Sequence, residues 1–256
     1  MNQHPPAIVV TRPDPDHRRL VERLAALHLR VLHCPAFHLE AIDGRELRAI
    51  FDPSGPFDLL LVTSPMAARV LIASLHHEIL SNVRLVAPGK GTAGLLEQAG
   101  FGAGFPSHGG TSEAVLEIEA LRSVRGLRIG ICAAPGGRTL LAEELARRGA
   151  RVSVLHVYRR VPLPPGRELL AQLASNVPTV VMITSLNAFE HFSAELGDTD
   201  RARWLKADFL VSSARLESAC RKAGVARIQR AEGAGDEHML AALASLLAQA
   251  GPNARD

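Results

Sequence analysis

Two hydrophobic patterns alternate along the chain. Residues 7–11 (AIVVT), 57–62 (FDLLLV), 83–87, 127–132 and 179–183 (TVVMI) are short, nearly unbroken apolar runs. Runs of that kind suit strands covered on both faces of a parallel sheet. Between them apolar residues recur every three or four positions, as with Leu20, Val21, Leu24 and Leu27, while Arg18, Arg19, Glu22 and Arg23 take the other face. That spacing predicts a helix over 15–28. The same reading predicts helices near 39–50, 66–75, 92–99, 112–123, 139–148, 169–174, 188–196, 216–223 and 237–249. Further strands are predicted at 29–35, 101–105, 151–160, 209–211 and 225–229. Strand and helix in strict alternation predict an α/β fold with parallel sheets.

The chain also repeats itself. LVTSPMAA at 61–68 and MITSLNAF at 182–189 lie 121 residues apart, as do LVERLAALHLRV at 20–31 and LAEELARRGARV at 141–152. LEQAGF at 96–101 is echoed by CRKAGV at 220–225, with an offset of 124. Near-constant offsets over separated segments predict two similar α/β halves.

Each copy of the repeat sets small hydroxyl residues just after a strand and before a helix: Thr63 and Ser64, then Thr184 and Ser185. Ligands of open parallel sheets bind outside the carboxyl ends of the strands, where helix N-termini turn free N–H groups outward. Two such rims facing a common cleft would suit a ligand with several carboxylates or phosphates. The plainer reading makes these hydroxyls N-caps and nothing more.

Tyr158 is the only tyrosine of the 256 residues, and it closes a run of β-formers, RVSVLHVYRR at 151–160. Together with 29–35 (LRVLHCP), this run reads as a pair of strands crossing between two bodies, with Tyr158 facing the cleft. A singular tyrosine at a strand exit invites a functional role; the plainer reading is an aromatic wedge between domains.

Composition narrows the remaining choices. Hydrophobic residues make up 47% and charged residues 21%, with a net charge of +3, so an ordinary globular protein is expected. Aromatics at 4% argue against base-stacking platforms and nucleic-acid binding. Cys34, Cys132 and Cys220 are widely spaced and predict reduced, buried thiols. The first residues lack the pattern of a signal peptide and no apolar run is long enough to span a bilayer, so a cytoplasmic protein without membrane contact is expected.

Several motifs fail on context. Gly89, Gly91 and Gly94 spell GxGxxG, but after a strand that is not the first and with no acidic residue closing the next strand. Gly89 and Lys90 lack the upstream glycine of a phosphate-binding loop. His76 and His77 have no ligand partners at metal spacing, and there is no GxSxG elbow.

VVTRP at 9–13, LVTSPMA at 61–67, VAPGKGTAGLLEQAG at 86–100, GGRTLLAEELARRGARVSVLHVYRR at 136–160 and ITSLNAF at 183–189 together resemble the uroporphyrinogen-III synthase family, in the family's order over nearly the whole chain. The resemblance implies two flavodoxin-like α/β domains joined by a two-stranded ribbon. Carried onto this chain, the first domain takes 1–32 with 161–256 and the inserted one takes 37–153, with 33–36 and 154–160 as linkers.

It also implies an activity, the closure of hydroxymethylbilane to uroporphyrinogen III with inversion of the last pyrrole ring, without a cofactor. Tyr158 is then the acid that assists loss of the substrate hydroxyl. Thr11, Arg12, Thr63, Ser64, Gly89, Thr92, Arg138, Thr184, Ser185 and Asn187 are implied as substrate-binding residues. Plainer roles stand beside these: Arg12 pairing with a neighbouring carboxylate, Arg138 as a solvated helix start, Asn187 as a cap. Ser212 and Ser213 stand where the family often differs and receive no role. A monomer is expected, with transient contact to hydroxymethylbilane synthase, the enzyme supplying the substrate. The competing class is a non-enzymatic two-lobed module that binds a polyanion.

Overall fold

The computed structural model describes residues 5–51, 56–75, 77–107, 111–136 and 139–249. The chain divides into two compact units, Met1–His38 with Val161–Asp256, and Leu39–Arg160.

In the first unit β1 (Ala7–Val10) and β2 (Val31–His33) come from the start of the chain. The second unit holds β4 (Leu59–Val62), β5 (Arg84–Val86), β6 (Ala103–Gly104), β7 (Arg128–Ala133) and β8 (Arg151–His156). Later in the chain β10 (Thr179–Ile183), β11 (Asp208–Val211) and β12 (Ile228–Arg230) complete the first unit. Two remaining strands, β3 (Phe37–Ala41) and β9 (Tyr158–Pro162), lie where the chain passes between units and pair as a separate two-stranded sheet.

The first unit's sheet runs β12-β11-β10-β1-β2 and the second's runs β6-β5-β4-β7-β8, every pairing parallel. The first is the flavodoxin-like order. Their registers correspond rung for rung: Ile8 opposes Val31 and Val180 in one sheet, while Ile129 opposes Val152 and Leu59 in the other. The repeat in the sequence is therefore a repeat in space, but threaded differently. β1 and β2 open the chain of the first unit, whereas their counterparts β7 and β8 close the chain of the second, a circular permutation.

The apolar runs become central strands because helices cover both faces. Side chains alternate across a strand, so Ile8 and Val10 pack with Leu20 and Leu24 while Val9 points into the opposite core with Phe209 and Trp204. Leu59 and Leu61 likewise face one core of the second unit and Leu60 and Val62 the other. Trp204 is fully buried, edge-on to Phe209 (centroids 4.9 Å) and to Phe192 (5.7 Å). No helix among the described residues is long and apolar enough to cross a membrane.

Four departures from the pattern-based reading are instructive. Of the expected crossing segments the ribbon takes only 158–160: β2 and β8 are edge strands of the two main sheets, and the ribbon strands β3 and β9 follow them in sequence. β3 accordingly replaces the first part of the helix expected over 39–50. Half-buried Phe37 and Leu39 alternate there with exposed His38 and Glu40, a period of two. The helix begins only at Gly44, after Asp43 accepts the N–H of Arg45 at 2.7 Å. The single helix expected over 112–123 is two, Ser112–Leu116 and Glu119–Arg122, because Ile118 between them is extended. The helix Asp198–Lys206, which carries Trp204, was not anticipated. Its signal was a charge pattern, Asp198 with Arg201 and Asp200 with Arg203, three residues apart in each case.

Candidate active site

Because every strand of the two main sheets is parallel to its neighbours, each sheet has one carboxyl rim, and the residues after its strands gather there. In the second unit Thr63 and Ser64 follow β4, Gly89 follows β5, Pro135 follows β7, and Tyr158 follows β8.

Ser64 does two jobs. As N-cap of the helix Pro65–Ser74 its Oγ accepts the N–H of Ala67 at 3.2 Å, with Pro65 preset for the first helical position. The same hydroxyl donates its proton to the Tyr158 phenol oxygen at 3.1 Å. A chain of donors thus runs from the start of the helix through Ser64 to the phenol. Each donation polarises the next O–H, which makes the phenol a stronger hydrogen-bond donor to whatever it meets. The Tyr158 ring is only 3% exposed and packs in the core of its unit, and the phenol oxygen meets Ser64 at the strand ends. Its own proton is not the one in the Ser64 bond.

Arg160 stands beside this pair. Its guanidinium carbon is 5.8 Å from the Tyr158 ring centroid, and its Nη1 donates to the Pro135 carbonyl at 3.3 Å.

Gly89 precedes the helix Lys90–Gln98 in extended backbone open to any residue, and no side chain caps that helix. A Cβ there would meet nothing within 4 Å. In the first unit the corresponding position is Ser213, whose Oγ accepts the N–H of Leu216 at 3.3 Å and caps the helix Ala214–Lys222. Glycine in place of a capping serine leaves the first N–H groups of the helix without a side-chain acceptor and open to an anion. Thr92, in the first turn of that helix, is buried.

The first unit's rim places Thr11 and Arg12 after β1, and Thr184 and Ser185 after β10. Ser185 caps the helix Leu186–Glu195, accepting the N–H of Ala188 at 3.4 Å, and Asn187 is exposed in the first turn of that helix. Thr184 is half-buried, and its carbonyl accepts the Ser212 hydroxyl at 3.3 Å. Ser212 and Ser213, unassigned from sequence, thus tie and cap this rim.

Three of the residues considered for substrate binding are engaged inside the protein. Thr11 donates to the Met182 carbonyl at 3.1 Å and Thr63 to that of Cys132 at 2.9 Å. A hydroxyl has one proton, so both are left as acceptors, the wrong polarity for a carboxylate. Arg12 follows its plainer reading: Nη1 donates to Asp236 at 2.5 Å and Nη2 to the Ala234 carbonyl. The Arg12 carbonyl in turn lies 2.8 Å from His33 Nε2, and the His33 ring stacks on His17 at 3.4 Å. Burial first, and then the neighbouring His33, lower the His17 pKa. Arg138 and His76 lie outside the described residues. No group of three or more potential metal ligands occurs among those described.

Comparison with known proteins points to one family. The profile of the uroporphyrinogen-III synthase HemD family matches residues 18–241. The uroporphyrinogen-III synthase of Salmonella typhimurium is 31% identical over 93% of this chain and 99% of the relative. That of Escherichia coli is 30% identical over the same shares. Among solved structures, a uroporphyrinogen III synthase from Thermus thermophilus superposes with a TM-score of 0.65 at 20% identity, covering 95% of this chain and 99% of the other. The Helicobacter pylori uroporphyrinogen-III synthetase gives a TM-score of 0.62 at 16% identity, covering 94% and 99%. None of these matches favours a non-enzymatic binding module. A family profile over most of the chain, relatives of matching length and the same two-sheet α/β fold establish that this chain belongs to the uroporphyrinogen-III synthase family, enzymes of the cyclising lyase type.

Proposed function

We propose that this chain closes hydroxymethylbilane to uroporphyrinogen III, inverting the last pyrrole ring, with Tyr158 as the acid that helps the terminal hydroxyl depart. The observation that carries the reading is the Ser64 to Tyr158 hydrogen bond, because it leaves the phenol proton for an incoming oxygen. Loss of that hydroxyl makes an electrophilic azafulvene, and attack by the substituted carbon of the last ring gives a spiro intermediate that fragments and recloses inverted. Spontaneous closure gives the uninverted isomer, so most of the catalytic task is geometry: binding energy must hold the chain in the fold that leads to inversion.

Each unit offers groups for the substrate's carboxylates. Backbone N–H groups at the start of the helix Lys90–Gln98, opened by Gly89, serve on the second unit, and Thr184, Ser185 and Asn187 serve on the first. Thr11, Thr63 and Arg12 act from behind, fixing strand ends. The enzyme works as a monomer, receiving its labile substrate from hydroxymethylbilane synthase in transient contact.

A coupled assay supplying hydroxymethylbilane tests this. The wild-type chain is expected to divert the product from isomer I to isomer III. An isomer ratio equal to that of spontaneous closure would refute it.

A further inference from the structure

Arg160 lies on the rim that holds Tyr158, yet the mechanism above does not use it. Among the described residues no carboxylate pairs with it, whereas its chain neighbour Arg159 pairs with Glu40 at 3.9 Å. Arg160 is half-buried and fixed at two points, by its bond to the Pro135 carbonyl and by its place over the phenol face. A cation over an aromatic face is attracted to the ring's electron density, and more strongly when that ring is out of water. The Tyr158 ring is buried, so this attraction is weakly screened.

We propose that Arg160 is a positioning residue for Tyr158: its guanidinium holds the ring against the strand ends and steadies the negative charge left on the phenol oxygen when the proton departs. The proposal rests on the functional reading above. The step balances as follows. The Tyr158 O–H bond breaks and its proton goes to the substrate hydroxyl, whose carbon–oxygen bond breaks to release water. The phenol oxygen keeps the electron pair and the pyrrole takes the positive charge. The proton lost when the closed macrocycle regains aromaticity returns to the phenol oxygen. Between those events the phenolate has two stabilising neighbours, the Ser64 hydroxyl at 3.1 Å and the Arg160 guanidinium over the ring.

Two measurements test it. Because the chain has one tyrosine, 13C-tyrosine labelling reports Tyr158 alone. Arg160→Gln is expected to shift that resonance in the folded protein and Arg160→Lys to restore most of the shift; an unmoved resonance in Arg160→Gln overturns the proposal whatever the activity. In the coupled assay, Arg160→Gln is expected to lower kcat roughly tenfold with KM within about twofold, and Arg160→Lys to recover most of the rate. In a Tyr158→Phe background the same change is expected to cost almost nothing, because there is no phenol left to steady. An equal loss in both backgrounds, or a rise in KM alone, would show Arg160 acting on the substrate directly and overturn the proposal. A wild-type chain that makes no isomer III would refute the functional reading, while the resonance would still decide whether Arg160 governs the phenol.

Discussion

Phe37 occupies in the first unit the position that Tyr158 occupies in the second. The two sheets share one register, with offsets of 121 residues between β2 and β8, and Phe37 and Tyr158 follow those strands at that same spacing. Ser185 likewise corresponds to Ser64, and both cap helices in the same way. The two rims therefore share a scaffold, and at this position they differ by one oxygen atom, which only the second unit's aromatic carries.

Tyr158→Phe is expected to lower the rate of isomer III formation by roughly a hundredfold or more, the usual contribution of a positioned acid. The ring and its packing are retained, so the circular dichroism spectrum and melting temperature should change little. Wild-type turnover in this variant would remove the phenol from the mechanism.

Ser64→Ala and Ser185→Ala make a matched pair. Each removes an N-cap and is expected to destabilise its unit by about 1 kcal/mol, read from denaturant midpoints. Ser64→Ala should also lower kcat, because only Ser64 donates to a phenol, whereas Ser185→Ala should act through KM, because Ser185 belongs to the rim that holds the substrate's carboxylates. Equal turnover losses in the two variants would contradict the relay.

Glu144 links one stability effect to pH. Hydrogen bonds from Arg147 and then Arg148 hold its pKa down at about 2, below the ordinary value. Arg148 also donates to the carbonyls of Leu116 and Leu121, so the cluster pins the two short helices near 112–122. A carboxylate with a depressed folded pKa stabilises above its unfolded value and loses that contribution as pH falls toward the folded one. Glu144→Gln should therefore lower the melting temperature near neutral pH, with the difference from wild type shrinking as pH falls from about 4.5 toward about 2. A difference independent of pH would mean that charge has no part in it.

Burial raises the thiol pKa of Cys34 to about 11 and those of Cys132 and Cys220 to about 12. At about pH 8 almost no thiolate is present, so the native protein should react slowly with thiol reagents. In denaturant all three should react at once. Rapid native labelling of any of them would place that cysteine at the surface.

Much of this was legible in the chain, for physical reasons. Runs such as LLLV at 59–62 read as buried strands because both faces are covered, and the repeat read as two halves because each half folds into the same sheet. Ser64 and Ser185 were visible because N-caps obey local chemistry. The true ribbon was not, because whether β8 ends by pairing with β7 or with a crossing strand depends on contacts remote in sequence. The commitments of Thr11 and Thr63 escaped for the same reason: their acceptors, Met182 and Cys132, lie 171 and 69 residues away. Arg160 was in plain sight in VYRR, but only the carbonyl of Pro135 shows which of the two arginines turns back toward the phenol.

The permuted threading bears on the order of events during translation. The second unit is one unbroken stretch and can close as soon as residue 160 leaves the ribosome. β1, a central strand, lies between β2 and β10, so one of its edges stays bare until a segment made some 170 residues later arrives. An unpaired, wholly apolar edge invites mispairing with other nascent chains. Residues 7–10 thus gain from chaperone cover during synthesis, although they end inside the sheet, paired on both sides.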